Sequence, residues 1–222
     1  MTNNYEMTGE EYDILYKRYL TRSSKELLEL AGMKEGDRVL DLCAGSNGRV
    51  TKAAIEMGAS FVVPVDLNPN VKKLYKIKHG CVDPYCQDIQ GFLQFSNLDK
   101  ADRFDIMVCQ QGINYWFDKD IVRKFGSFIK KGGVFVFNTF NKKPSTVPSV
   151  KEYKIDGLAY VEIVWLVGKM VKHIQIVEGY NSHTTEFKWI SPAYFKEGLS
   201  LSFRDVEVKT VNSTDIYICR RI

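Results

Sequence analysis

The segment VLDLCAGSNGRVT, residues 39–51, carries the strongest chemical signal in the chain. An apolar run ends near Asp41, a turn of small residues follows, and a helical pattern begins. Small residues let a ligand come close to the backbone. The start of a helix offers unpaired N–H donors and positive potential, suited to a carboxylate. Further polar groups recur where later apolar runs end. Asp66 closes VVPVD, and an acidic residue so placed can accept both hydroxyls of a ribose. Asp88 follows in YCQDI, where a carboxylate can accept from an adenine amino group, and Gln110 and Gln111 follow FDIMVC. Each alone resembles a solvated strand terminus. Polar groups at three strand ends in succession, all on the same predicted edge, are hard to assign to chance.

The elements needed to bring them to one edge are legible. Residues 38–42, 61–65, 81–86, 104–109 and 134–139 read as strands one to five. Residues 48–57 and 119–130 read as helices, and Lys131-Gly132-Gly133 as the turn into strand five. Asn68-Pro69 is an N-cap followed by proline at the first helical position, predicting a helix over 69–78. Strands alternating with helices imply a parallel sheet covered on both faces. Right-handed crossovers then align the strand C-termini along one edge, where ligands bind near the reversal of strand order. Upstream, Thr8 with Glu11 and Ser23 with Glu26 have the spacing of capping boxes. The first predicts a helix carrying Tyr12, Leu15, Tyr16 and Leu20, the second a helix facing a core with Leu27, Leu28 and Leu30 and ending near Gly32.

The chain changes character near Asn141. Residues 150–156, 159–167, 171–178 and 184–190 alternate β-branched or aromatic residues with polar ones and read as antiparallel strands. Ser191-Pro192 caps a short helix ending at Gly198, and residues 202–209 and 215–220 read as a hairpin completing the main sheet. The expected architecture is α/β: a Rossmann-like, seven-stranded, mostly parallel sheet with helices on both faces, plus a small antiparallel β lid. It is read as one domain, 1–222, with N-terminal helices (1–35), a ligand-binding core (36–140), the lid (141–190), and a final helix and strands (191–222).

Composition narrows the functional classes. A chain of 222 residues buries a sizeable core without disulfides or metals. The net charge of +4 comes without a dense basic run, which disfavours nucleic acid as a partner. The most apolar stretch, 158–167, contains Glu162 and is too short to span a bilayer, and the polar start predicts no secretory leader. Five cysteines in no framework spacing read as reduced thiols, so a cytoplasmic location is expected. His79, Cys81, Asp83 and Cys86 are close in sequence but match no zinc spacing, and no metal is expected.

Residues 36–140 resemble class I S-adenosylmethionine-dependent methyltransferases, in the family's order and near its spacing. The resemblance implies S-adenosyl-L-methionine as cofactor. It implies a loop over 41–48, with Asp41, Cys43 and Gly45, around the methionine part. It places Asp66 on the ribose, Leu67 against the adenine, Asp88 and Ile89 at the adenine edge, and Gln110 near the methionine part or the reacting methyl. The family's acidic residue is usually followed by glycines at alternate positions. Here those positions hold Cys43, Gly45 and Asn47, with Gly48 one residue on. G-x-G-x-x-G is absent, so a dinucleotide oxidoreductase fits worse. Cys109 lacks the proline- or threonine-cysteine context of RNA cytosine-5 methyltransferases, and CQQG is not the Asp/Asn-Pro-Pro-aromatic motif of amino-methylating DNA enzymes.

The antiparallel third resembles the insertion after strand five of small-molecule methyltransferases. The function expected is in-line transfer of a methyl group to a nitrogen or oxygen of a small-molecule acceptor. Positioning is the main catalytic resource of such a reaction, with a general base optional. His183 and Tyr16 are the candidate catalytic residues, His183 as a base with an ordinary pKa near 6.5. Gln111, Asn114, Tyr115 and Trp116 are candidate acceptor contacts, and Tyr12 a candidate to close over the cofactor. A methyltransferase acting on RNA or protein, and a non-catalytic cofactor-binding module, stand as alternatives. A homodimer is left open.

Overall fold

The computed structural model describes residues 8–15, 24–95, 103–211 and 214–221. Its first helix, α1 (Gly9–Leu15), opens on the expected capping box. The Thr8 hydroxyl accepts from the Glu11 N–H at 3.2 Å, and the Glu11 carboxylate accepts from the Thr8 N–H at 2.9 Å. Helix α2 (Ser24–Leu30) buries Leu27 and Leu28 completely, and the chain then turns at Gly32 with φ +76°. Tyr16, Leu20 and Ser23 lie outside the described residues.

Strands β1 (Arg38–Leu42), β2 (Phe61–Asp66), β3 (Tyr85–Cys86), β4 (Phe104–Cys109) and β5 (Ile129–Phe140) run parallel to one another. Helices α3 (Arg49–Glu56), α4 (Ile89–Phe95), α5 (Ile113–Trp116) and α6 (Lys119–Phe128) lie between them, with a 3-10 segment at Pro69–Lys76. Four antiparallel strands follow: β6 (Ser149–Ile155), β7 (Leu158–Val167), β8 (Met170–Val177) and β9 (His183–Lys188). Helix α7 (Pro192–Leu199) leads into β10 (Asp205–Val211) and β11 (Thr214–Arg220). The main sheet has the order β10-β11-β5-β4-β1-β2-β3, with β11 antiparallel to both of its neighbours, β10 and β5. Strand order reverses between β1 and β4, where ligands of open α/β sheets collect.

Both faces of this sheet are covered, so its central strands are nearly all apolar. Phe92, Phe104, Phe125, Phe135, Phe137, Phe195 and Tyr217 pack on one face. Leu27, Leu28, Val39, Val50, Ala54, Val62 and Ile106 pack on the other. Asp41 is a notable departure, a carboxylate 1% exposed within this core.

Three local expectations are corrected. Strand three shrinks to two residues, with a lone bridge from Val82 to Val62, because Pro84 has no N–H to give the ladder. The predicted turn at Lys131-Gly132-Gly133 is a bulge inside β5, since Ile129 pairs with Phe104 and Val134 with Ile106. Gly133 is required there: a Cβ would come 2.8 Å from the Asp105 carbonyl oxygen. Helices α4 and α5 are additional to those read from the sequence.

The four-stranded sheet alternates with period two. Tyr160, Leu166, Val171, Val177 and Phe187 point inward, and Val150 and Ile176 lie exposed. It is tied to the rest at several points. The Tyr160 hydroxyl donates to the Ile14 carbonyl at 3.1 Å, Leu15 packs with Tyr160 and Val177, and Phe140 stacks on Phe187 at 5.4 Å.

Candidate active site

The loop after β1 is organised by Asp41. Its Oδ2 accepts from the Thr51 N–H at 3.0 Å and the Thr51 hydroxyl at 2.7 Å, clamping the first turn of α3 to the strand. Its Oδ1 is buried with no hydrogen-bond partner. Burial pushes the Asp41 pKa up to about 7 against the lowering effect of the Thr51 bonds, with the nearby Asp66 charge raising it further.

The backbone then turns through left-handed conformations at Cys43 (φ +61°), Gly45 (φ +68°) and Gly48 (φ +55°). Cys43 thus adopts the conformation a glycine would take, at a cost of about 1–2 kcal/mol. Hydrogen bonding with the Cys109 thiol, and then burial, hold its own thiol well above the usual range. The third left-handed residue is Gly48, one past the family's alternate position, and Asn47 serves another task. The Asn47 amide donates to Asp13 Oδ1 at 2.7 Å, fastening α1 to the loop.

Asp66 at the end of β2 braces the same loop. Its Oδ2 accepts from the Gly45 N–H at 2.8 Å and its Oδ1 from the Asn68 N–H at 2.7 Å, while burial raises its pKa. Asp88 accepts from the Gly91 N–H and so caps α4. Beyond β4, Gln110 Oε1 accepts from the Ser24 hydroxyl at 2.7 Å, and the Gln111 N–H donates to Asn138 Oδ1 at 2.8 Å. Gln111 is left-handed at φ +62°. Of the described non-glycine residues with positive φ (Cys43, Gln111 and Asp156), the first two stand on this strand-end edge, where backbone strain is characteristic of working sites.

Together these groups enclose a cavity of about 370 Å³. Its wall brings together Asp41, Cys43, Gly45, Asp66, Leu67, Asp88, Ile89, Gln110, Gln111, Tyr115, Trp116 and His183. Tyr12 also reaches it; burial pushes the phenol up to about 12. Arg49, Asn68 and Thr185 line it as well and were missed from sequence. The signal for Thr185 was present, since it lies two residues from His183 on the same strand face. Arg49 opens α3 beside the loop, 3.6 Å from the Asp13 carboxylate and 5.7 Å from the Tyr12 ring centre.

Two expectations change. Asn114 does not line the cavity. It is buried, its Oδ1 accepting from the Thr139 hydroxyl at 2.6 Å and its amide donating to the Lys188 carbonyl at 3.1 Å, so it joins α5 to β5 and β9. His183 does line it, but burial and the His173 charge lower its pKa to about 4. It is therefore uncharged at neutral pH, a hydrogen-bonding group more than a strong base. Among the described residues, no group of three or more His, Cys, Asp or Glu side chains is placed to hold a metal.

The cavity thus gathers an unsatisfied buried carboxylate oxygen, further carboxylates, and aromatic and imidazole groups. That chemistry suits a polar ligand carrying a cation and hydroxyls.

No protein-family model and no curated protein matches the chain. Solved structures do. CalS10, an amino pentose methyltransferase from Micromonospora echinaspora solved with SAM bound, superposes with a TM-score of 0.74 at 13% identity, covering 99% of this chain and 100% of its own. An S-adenosylmethionine-dependent methyltransferase from Clostridium acetobutylicum gives 0.65 at 20% identity, covering 96% of each chain. The 1,6-didemethyltoxoflavin-N1-methyltransferase of Burkholderia thailandensis, solved with 1,6-didemethyltoxoflavin and S-adenosylhomocysteine, gives 0.58 at 15% identity, covering 96% of this chain and 82% of its own. With its seven-stranded sheet, strand-end cavity and added antiparallel sheet, the chain has the fold of the class I S-adenosylmethionine-dependent methyltransferases.

Proposed function

We propose that this protein transfers a methyl group from S-adenosyl-L-methionine to a nitrogen or oxygen of a small-molecule acceptor. The observation that carries the reading is the buried, unpartnered Asp41 Oδ1, in one cavity with Asp66 and Asp88 at the ends of successive strands. A buried acceptor without a donor is costly unless a ligand completes it. An ammonium group is the complement for a carboxylate oxygen, and the methionine part of the cofactor has one.

The residues fit the remainder of the cofactor. Arg49 is the cation within reach of a carboxylate. Asp66 retains lone-pair capacity for a ribose hydroxyl beyond its bonds from the Gly45, Leu67 and Asn68 backbone. Leu67 and Ile89 offer apolar contact to adenine, Asp88 an acceptor for its amino group, and Gln110 a polar contact to the methionine part. When bound, the cofactor supplies an electrophilic methyl on a sulfonium, and the protein's task is to align an acceptor with it and exclude water. Gln111, Tyr115, Trp116, His183 and Thr185 form the remaining wall and are assigned to the acceptor. Aromatic faces there suit a cationic or apolar acceptor. The fold neighbours that act on an amino pentose and on 1,6-didemethyltoxoflavin support a small acceptor. Among the described residues, no helix is long and apolar enough to cross a membrane.

The reading is tested by calorimetric titration with S-adenosylhomocysteine of the wild type and Asp66→Ala, followed by methyl transfer from labelled cofactor to a panel of small amines and alcohols. Micromolar binding by the wild type, weakened about 10-fold or more in the variant, is expected from loss of a charge-assisted contact. A folded wild type that does not bind removes the enzyme reading.

A further inference from the structure

Five polar side chains are buried in the antiparallel sheet: Glu162, His173, Gln175, His183 and Thr185, exposed by 2, 4, 0, 5 and 5%. Strand register brings them together. Glu162 on β7 stands opposite Gln175 on β8, which stands opposite His183 on β9, and His173 stands opposite Thr185. His173 Nε2 is 3.2 Å from Glu162 Oε1, and Gln175 Nε2 donates to the Tyr153 hydroxyl at 2.9 Å. Of the five, only His183 and Thr185 reach the cavity wall. The others back them within a face otherwise made of Tyr160, Leu166, Val171, Val177 and Phe187. Apolar residues of similar size would pack on such a face with no desolvation cost, so stability gives no reason for a carboxylate–imidazole pair there.

We propose that Glu162 and His173 are positioning residues for the acceptor: they hold His183 with an uncharged ring nitrogen turned to the cavity, where it accepts a hydrogen bond from the N–H of a small amine. The proposal rests on the methyltransferase reading and names the acceptor class of that site. Its physical basis is that a neutral imidazole has one donor and one acceptor nitrogen, and its surroundings decide which is which. The Glu162–His173 pair lies in the same buried face as His183, and charge on His173 opposes protonation of His183. Burial and the His173 charge act together on His183 in this direction, and no cavity carboxylate contributes to the shift. The other ionisable groups lining the cavity are Asp41, Asp66, Asp88 and Arg49, with Tyr12, Cys43 and Tyr115. An imidazolium would offer only donors and would repel a cationic amine, whereas the neutral ring receives it. Thr185, two residues along the same face, adds a hydroxyl for a hydroxyl group neighbouring the amine.

The chain has three histidines, His79, His173 and His183, so imidazole nitrogen NMR of the 15N-labelled full-length protein resolves them without knowledge of the acceptor. Spectra are recorded from pH 5 to 8 with saturating S-adenosylhomocysteine, on the wild type, His173→Gln and Glu162→Gln. The wild type is expected to show His183 neutral and in a single tautomer throughout. In His173→Gln its titration midpoint is expected to rise by about one pH unit or more, with tautomer exchange, as the neighbouring charge is removed. Glu162→Gln, which removes the carboxylate beside His173, is expected to loosen the His183 tautomer. S-adenosylhomocysteine affinity should stay as in the wild type, since neither residue lines the cavity. Folded variants with unchanged His183 tautomer and midpoint overturn the proposal. So does a wild-type His183 that is protonated near pH 6.5, a measurement that stands even where a variant does not fold. Loss of S-adenosylhomocysteine binding in the wild type removes the methyltransferase reading itself, a result distinct from either.

Discussion

Asp41→Asn separates the stability and binding roles of the buried carboxylate. The Asp41 pKa is about 7 in the folded protein, against 3.8 for the ordinary group. The folded state therefore holds this proton more tightly than the unfolded chain does. The contribution to stability is fully favourable below about pH 4, where both states are protonated, and is lost as pH rises toward 7. At 1.36 kcal/mol per pH unit, the penalty is about 1–2 kcal/mol at pH 5 and about 4 kcal/mol above pH 7. Asparagine is neutral throughout and keeps an oxygen for the two Thr51 donors. Relative to wild type, the variant should gain about 2–3 kcal/mol in unfolding free energy between pH 5 and pH 8, whatever its offset at either pH. Urea unfolding of both proteins at the two pH values measures this directly, because the other titrating groups are shared and largely cancel. Calorimetry at pH 8 should show S-adenosylhomocysteine affinity falling about 10-fold or more, the worth of a charge-assisted hydrogen bond. A stability difference independent of pH would refute the argument from burial. Undiminished affinity would refute the assignment of the free oxygen to the ligand.

Two further substitutions probe the packing behind the site. Gly112 has φ −111°, which alanine adopts freely, yet a Cβ there collides with Cys43 Cβ and Sγ. Gly112→Ala should cost about 1–3 kcal/mol in thermal unfolding from overpacking, and Cys43→Gly in the same chain should recover most of it. Asn114→Ala leaves the Thr139 hydroxyl and Lys188 carbonyl without their partner, and a loss of about 2–4 kcal/mol is expected in denaturant unfolding. Amide exchange in β9 should accelerate in the same variant.

Much of this architecture was legible in the order of residues because its causes are local. Thr8 and Glu11 sit three apart and close a capping box in the folded chain as they would in a peptide. Asn68-Pro69 starts its helical turn, though as a 3-10 segment. Alternating strand and helix patterns placed Asp41, Asp66 and Asp88 on one edge, because a right-handed βαβ chain leaves them nowhere else to go. Even the shortened β3 was foreshadowed by Pro84.

Other properties arise only when distant segments meet. Asn114 looked like a site residue until Lys188, 74 residues on, occupied its amide. His183 reads as an ordinary base in isolation; burial and His173 across the strand ladder make it a neutral group. The left-handed turns fall at Cys43, Gly45 and Gly48, in a loop where Cys43 packs against Gly112 and Gly48 against Leu74. Periodicity, capping and turn chemistry act over a few residues and survive in the one-dimensional record. Burial, desolvation and the pairing of charges depend on what the rest of the chain brings alongside, so they are decided only in the folded molecule.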